Sequence, residues 1–195
     1  MKLAIVFLLN EYADWEGAYI SSILNNNENW KVKTASIEKE VISIGGFKTK
    51  VDYLINDIPK NLNLFIMIGG NSWNKEYDYL VKLVKYYLDN NILVASICGA
   101  CDFLAKNGLL TGYKHTGNSV DLWNNYTNYI NKTDFLEEQA IIDKNLITAN
   151  GTASLEFTKL ILEKINFKNS IWIEENMYLY KFGFYEYIKK YKNPF

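Results

Sequence analysis

Residues 92–97 read Ile92-Leu93-Val94-Ala95-Ser96-Ile97, and the chain continues Cys98-Gly99-Ala100-Cys101-Asp102-Phe103-Leu104-Ala105-Lys106-Asn107-Gly108-Leu109-Leu110. The apolar run fits a strand buried on both faces, as in a parallel sheet. It stops at Cys98. Phe103, Leu104 and Leu110 then recur at helical spacing, and Asn107-Gly108 supplies a stop signal. A strand that turns into a helix through small residues is a nucleophile elbow in outline, with Gly99 and Ala100 leaving room for the tight turn. The residue at the corner is a cysteine. Free cysteines are usually buried and inert, but a helix start offers unpaired N–H groups that favour a thiolate. The elbow context therefore makes Cys98 the candidate nucleophile.

Outward from the elbow, strand and helix patterns alternate. Leu3–Leu9, Trp30–Ile37 and Leu62–Ile68 read as strands. Asp14 is placed to cap a helix carrying Ala18, Ile20, Ile23 and Leu24. Val41–Ile44 and Phe47–Val51 around Gly45-Gly46 read as a β-hairpin beside the main sheet. Glu76–Asn90 is an amphipathic helix. Tyr113–Thr116 reads as a short strand, Ser119–Tyr126 as a helix, Ala140–Ile142 and Leu146–Ala149 as paired short strands, and Thr152–Ile165 as a helix. Ile171–Tyr191 reads as an aromatic helical stretch weakened at Gly183. The pattern predicts an α/β fold: a doubly wound, mostly parallel sheet with helices on both faces and a small hairpin addition. No linker or repeat divides it, so residues 1–195 are read as one domain, with 168–195 an aromatic-rich helical extension.

The composition narrows the function. The 195 residues carry a net charge of −1, with 49% hydrophobic and 15% aromatic residues. That balance points away from nucleic-acid and membrane partners. Every basic residue is lysine, so no guanidinium fork is available for phosphate or carboxylate. The two cysteines, Cys98 and Cys101, form no disulfide framework and fit a reducing cytoplasm. Met1-Lys2 opens onto a strand-like run too short for a signal peptide. No metal or cofactor is expected. Cys98-Gly99-Ala100-Cys101 is also a C-x-x-C, which keeps a dithiol oxidoreductase as a rival reading. His115 is the only histidine, so any Cys–His mechanism must use it.

Three stretches together resemble the ThiJ/PfpI family of the class I glutamine amidotransferase-like superfamily. They are the elbow, Tyr12-Ala13-Asp14-Trp15-Glu16 after the first strand, and Phe65-Ile66-Met67-Ile68-Gly69-Gly70. The fold implied is flavodoxin-like. The resemblance implies that Glu16 faces Cys98, and that the N–H groups of Gly70 and Gly99 form an oxyanion hole. Many members carry a histidine directly after the elbow cysteine, where this chain has Gly99. Others carry one after a Lys-x-Thr stretch, and an ungapped alignment puts Asn118 there. His115, Asn118, Gly69 and Cys101 complete the candidate pocket.

The resemblance implies a cysteine-dependent hydrolase or amidase, or glyoxalase- or deglycase-like action, on a small carbonyl or amide compound. The alternatives are a non-catalytic redox or stress sensor and the dithiol oxidoreductase. The helix start predicts Cys98 as mostly thiolate at neutral pH, with Glu16 mostly protonated and the pair titrating as one unit. Family members are commonly homodimers, and the aromatic content of 168–195 exceeds what one helix can bury on its own domain. Light scattering at micromolar concentration is expected to return twice the mass of one chain; a monomer mass would refute this.

Overall fold

Alternation along β1 (Lys2–Phe7) builds two cores from one strand. Ile5 and Phe7 enter the core on one side of the sheet, and Ala4 and Val6 the core on the other. The computed structural model describes residues 1–192; the last three residues of the 168–195 extension lie outside them. The remaining strands are β2 (Trp30–Ser36), β3 (Glu40–Ile42), β4 (Lys48–Lys50), β5 (Tyr53–Leu54), β6 (Leu64–Met67), β7 (Leu93–Ile97), β8 (Ala140–Asp143) and β9 (Leu146–Ala149). The 7-stranded sheet runs β5-β2-β1-β6-β7-β9-β8. Every pairing in it is parallel except β8 with β9. The chain winds from β1 toward β2 and then back across β1 to β6, which makes a topological switch point. Ligands of such sheets bind beyond the strands' carboxyl ends, at that switch point.

Helices cover both faces. α2 (Asp78–Asp89) and α3 (Gly99–Lys106) bury Leu80, Val84, Tyr87, Phe103 and Leu104 against Ile5, Phe65 and Val94. α1 (Asp14–Asn25), α4 (Ser154–Lys164) and α5 (Ser170–Phe182) bury Ile20, Leu24, Phe157, Ile161 and Ile173 against Val6, Ile66 and Ala95. Each such side chain contributes roughly 1.5–3 kcal/mol of transfer free energy. This explains why the apolar runs, and not helix propensity, decide the layers. No described helix is long and apolar enough to cross a membrane.

Several local expectations are corrected. Asp14 does not cap α1. The N-cap is Ala13, without a side-chain bond, because the Asp14 carboxylate accepts the N–H of Gly45 at 2.8 Å from the β3–β4 hairpin. Tyr113–Thr116 forms only a single bridge, His115 to Phe135. The helix expected over Ser119–Tyr126 is one 3-10 turn, Val120–Trp123, capped by Ser119. It is short because Trp123 turns inward and is 1% exposed. The C-terminal stretch breaks at Gly183, whose φ of 84° ends α5 and starts α6 (Phe184–Tyr191). Part of its aromatic surface packs within the chain, with Tyr180 on Tyr19 at 4.7 Å between ring centroids. Phe182, Phe184 and Tyr185 remain exposed.

His115 is the largest departure from the expected pocket. It is fully buried in a nest of Trp123, Tyr129 and Phe135. The Tyr113 carbonyl 2.8 Å from Nδ1 can only accept, so Nδ1 carries the proton. Nε2 then accepts from the Tyr129 hydroxyl at 2.8 Å. Both nitrogens are thus spent away from Cys98, because a buried imidazole needs partners and the aromatic nest supplies them. Burial lowers the pKa of His115, against the opposing effects of the Tyr113 bond and Asp134. A histidine with a depressed folded pKa binds its proton more readily when unfolded. The contribution of His115 to stability should therefore fall as pH drops below about 6.5. Glu16, whose proton affinity burial raises, acts in the opposite sense, so His115 is read from the difference. Between about pH 7 and pH 5 the wild type is expected to lose melting temperature relative to His115→Gln, although that variant melts lower throughout. Equal slopes would show that His115 is not the titrating group.

Candidate functional site

Segments that follow β1, β6, β7 and β9 meet at one end of the sheet, around Cys98. The cysteine takes φ 58° and ψ −130°, a region that costs a non-glycine residue about 1–3 kcal/mol. Two backbone bonds hold it there. Its N–H donates to the Ala149 carbonyl at 2.9 Å, and its carbonyl accepts from Cys101 at 2.8 Å. The side chain is half-buried and leaves the corner between β7 and α3.

Glu16 reaches this sulfur from the first turn of α1 and is fully buried. Its Oε2 accepts the Gly69 N–H at 2.7 Å. Oε1 is buried with no hydrogen-bond partner, and the carboxyl group and the Cys98 thiol act on each other's proton affinity. Gly69 must lack a side chain: a Cβ there would lie 2.6 Å from Cys98 Cβ and 2.7 Å from Glu16 Oε2. Gly70 and Gly99 lie side by side. The Gly70 carbonyl faces the Gly99 Cα, and the Gly99 N–H reaches the Cys98 sulfur.

Asn118 approaches from the opposite side. Its Oδ1 accepts the Gly151 N–H at 2.9 Å, which fixes the amide orientation. Nδ2 therefore points to the Cys98 sulfur, at 3.4 Å. Gly151 was not singled out from the sequence. It presses on the sulfur so closely that a Cβ would sit 2.8 Å from Sγ. The one available signal was its place just after the apolar run of β9. The Gly151 carbonyl accepts the Trp15 indole N–H at 3.2 Å. A polar groove of ≈ 250 Å³ begins at Asn118 and runs past Asp121 to Glu138 and Gln139.

The structure does not bring the other two expected pocket residues to the sulfur. His115 stays in its aromatic nest. Cys101 is fully buried, with its thiol 3.4 Å from the Ser96 and Ala149 carbonyls, and burial raises its pKa far above the ordinary thiol range. Its partners are backbone carbonyls in the core, because the first turn of α3 carries it under the sheet. Trp73 is likewise a core residue, donating to the Ile68 carbonyl. Among the described residues, no three His, Cys, Asp or Glu side chains converge to hold a metal ion.

The electrostatics correct the expectation of a free thiolate. Burial pushes Glu16 up to about 7, against the bonds from Cys98 and Gly69. Burial also pushes the Cys98 thiol up, and the Glu16 charge adds to it; the Asn118 and Gly99 N–H groups pull the other way. The helix start does not outweigh removal from water beside a second acid. Glu16 therefore ionises near neutral pH and its charge holds the proton on sulfur, within reach of a carboxylate that can accept it.

Residues 2–164 match the DJ-1/PfpI family. The "Uncharacterized protease YdeA" of Bacillus subtilis (strain 168) is 53% identical over 195 residues, covering 100% of this chain and 99% of that protein. A thiJ/pfpI family protein from Bacillus anthracis has a similar crystal structure, with a TM-score of 0.88 at 30% identity over 92% of this chain and 90% of its own. A DJ-1 superfamily protein from Agrobacterium tumefaciens gives 0.85 at 27% identity, over 92% and 97%.

Glu16→Gln removes the charge that opposes Cys98 ionisation while keeping a group of the same shape. The midpoint of the pH profile for Cys98 alkylation by iodoacetamide is expected to move down, so that alkylation at neutral pH is faster than in the wild type. An unchanged or higher midpoint would show that Glu16 does not control the thiol.

Proposed function

The chain belongs to the DJ-1/PfpI family, and from that premise we propose that it is a cysteine-dependent enzyme acting on a small carbonyl or amide compound, with Cys98 as nucleophile and Glu16 as its proton acceptor. The observation that carries this reading is the buried carboxyl of Glu16 against the Cys98 side chain, with no imidazole bonded to that sulfur. The sulfur adds to the electrophilic carbonyl carbon and its proton passes to the Glu16 carboxylate. The carbonyl oxygen takes up the negative charge next to the N–H groups of Gly70 and Gly99. With an amide substrate Glu16 then returns the proton to the departing amine, and water releases the acyl group from sulfur. With a 2-oxoaldehyde the adduct is a hemithioacetal. Its carbinol C–H proton moves to the adjacent carbonyl carbon to leave a 2-hydroxyacyl thioester, and water releases the 2-hydroxy acid and restores the thiol.

The cramped setting favours small substrates. Gly69 and Gly151 close on Cys98 from two sides, and a groove begins at Asn118, whose amide touches the sulfur. The similar Bacillus subtilis protein YdeA carries the name of an uncharacterized protease. The histidine that peptide-bond cleavage by a Cys–His pair requires is engaged elsewhere in this chain. The small-molecule reading is preferred for that reason. The same reading takes the protein as a cytoplasmic homodimer, with the exposed Phe182 and Tyr185 facing a second copy.

Turnover of methylglyoxal and of a panel of short amides tests the proposal. Activity is expected to vanish in Cys98→Ser and to fall about 10²-fold or more in Glu16→Gln, the size of a general acid–base contribution. Cys101→Ser should retain it. No turnover of any carbonyl or amide, with rapid peroxide oxidation of Cys98, would replace the enzyme with a redox sensor.

A further inference from the structure

The first turn of α1 holds three different parts of the molecule with three consecutive side chains. Asp14 takes the Gly45 N–H of the hairpin, and Glu16 takes the Gly69 N–H and meets Cys98. Between them, Trp15 is 50% exposed, yet its indole N–H crosses to the Gly151 carbonyl, 136 residues away in sequence. Gly151 is the residue pressed against the sulfur. A chain of hydrogen bonds therefore runs from the surface to the thiol. Trp15 Nε1 donates to the Gly151 carbonyl at 3.2 Å, the Gly151 N–H donates to Asn118 Oδ1 at 2.9 Å, and Asn118 Nδ2 donates to Cys98 Sγ at 3.4 Å.

We propose that Trp15 is a positioning residue of the site: its indole N–H pins the Gly151 turn, and through Gly151 it holds the Asn118 amide against the Cys98 sulfur. The other bonds of this turn do not perform that task. Thr152 donates through N–H and hydroxyl to Asn150 Oδ1, and Ala153 donates to the Asn150 carbonyl. These set the shape of the turn from within. The Asn150 bonds to Gln139 tie it to the approach to β8. The Trp15 bond is the one that ties the turn to α1, the element that also carries Glu16. One helical turn thus grips the sulfur from both sides, directly through Glu16 and indirectly through Trp15. The contact to sulfur, at 3.4 Å, is of ordinary N–H···S length, and it depends on where the Gly151 turn holds the amide.

The inference rests on Cys98 being the reactive group of the proposed function, but its test needs only a thiol. Trp15→Phe keeps an aromatic ring and removes the N–H. Alkylation of Cys98 by iodoacetamide is followed against pH by peptide mapping, with circular dichroism confirming the fold. With the Asn118 donor loosened, the thiolate loses stabilisation. The midpoint should move up, and the rate at neutral pH should fall roughly threefold to tenfold, the size of one weakened hydrogen bond. Asn118→Ala should do the same, and Trp15→Phe should add nothing in the Asn118→Ala background. An effect that persists undiminished in that background would overturn the proposal. So would a faster rate at every pH with no movement of the midpoint, which would make Trp15 merely a cover over the site. A protein that turns over no substrate still gives this result, so failure of the enzyme reading and failure of the Trp15 role are read separately.

Discussion

The backbone of Cys98, held at positive φ where β7 gives way to α3, is the constraint on which the rest of the site depends. A strand that simply continued would send this side chain into one of the two cores. The turn instead lifts it out at the sheet's carboxyl edge. The cost of that conformation is offset because β7 sits between β6 and β9 in fixed parallel register. The Ala149 carbonyl that anchors the Cys98 N–H belongs to the last residue of β9, so the sheet itself sets the corner. The neighbours must then yield space. Gly69 and Gly151, from the segments that follow β6 and β9, are both within contact distance of the cysteine side chain, and neither position tolerates a Cβ.

A second constraint follows from what surrounds the sulfur. Placing a carboxyl group in a fully buried position is costly unless its oxygens are bonded or it takes up a proton. Glu16 does some of each: one oxygen takes the Gly69 N–H, and burial raises its proton affinity. The thiol beside it faces the same penalty with weaker compensation. The chain contains no arginine, its one histidine is elsewhere, and no lysine is among the groups that shift Glu16 or Cys98, so two negative charges here are not offset by a neighbouring cation. Two acids in one dry space resist double ionisation, and proton exchange between them becomes the natural chemistry of the pair.

The layered fold was legible because continuous apolar runs can mean little else in a chain of alternating strand and helix patterns. Leu3–Leu9, Leu62–Ile68 and Ile92–Ile97 became β1, β6 and β7 within a few residues at each end. Cys98 and Glu16 were visible as chemistry-bearing types at strand ends. Gly151 and Trp15 were not, since a glycine in a loop and a surface tryptophan carry no signal until the fold shows what they touch. Asp14 and His115 were misplaced for different reasons. Asp14 was read from the apolar pattern that follows it and His115 from being the one histidine a Cys–His mechanism could use, and each found a distant partner. The hairpin claimed Asp14, and Tyr129 claimed His115. Gly183 was visible as a weakness, but whether it would bend or break the last helix depended on the conformation it adopted.

Asn118 shows how one residue type limits a site. The family resemblance puts it where some members are expected to carry a histidine, and it meets the sulfur in that place. An imidazole there could take the thiol proton and leave an ion pair behind. An amide cannot: its carbonyl oxygen is committed to the Gly151 N–H, and its nitrogen can only donate. The amide therefore favours negative charge on sulfur without ever accepting the proton. Among the side chains bonded to Cys98, acceptance falls to Glu16, which lies on the other side of the sulfur and carries a proton affinity tuned by burial to near neutrality. Donor and acceptor are thus divided between two residues on opposite sides. The balance between them is set by how deeply the pair is buried and how firmly the Gly151 turn is held.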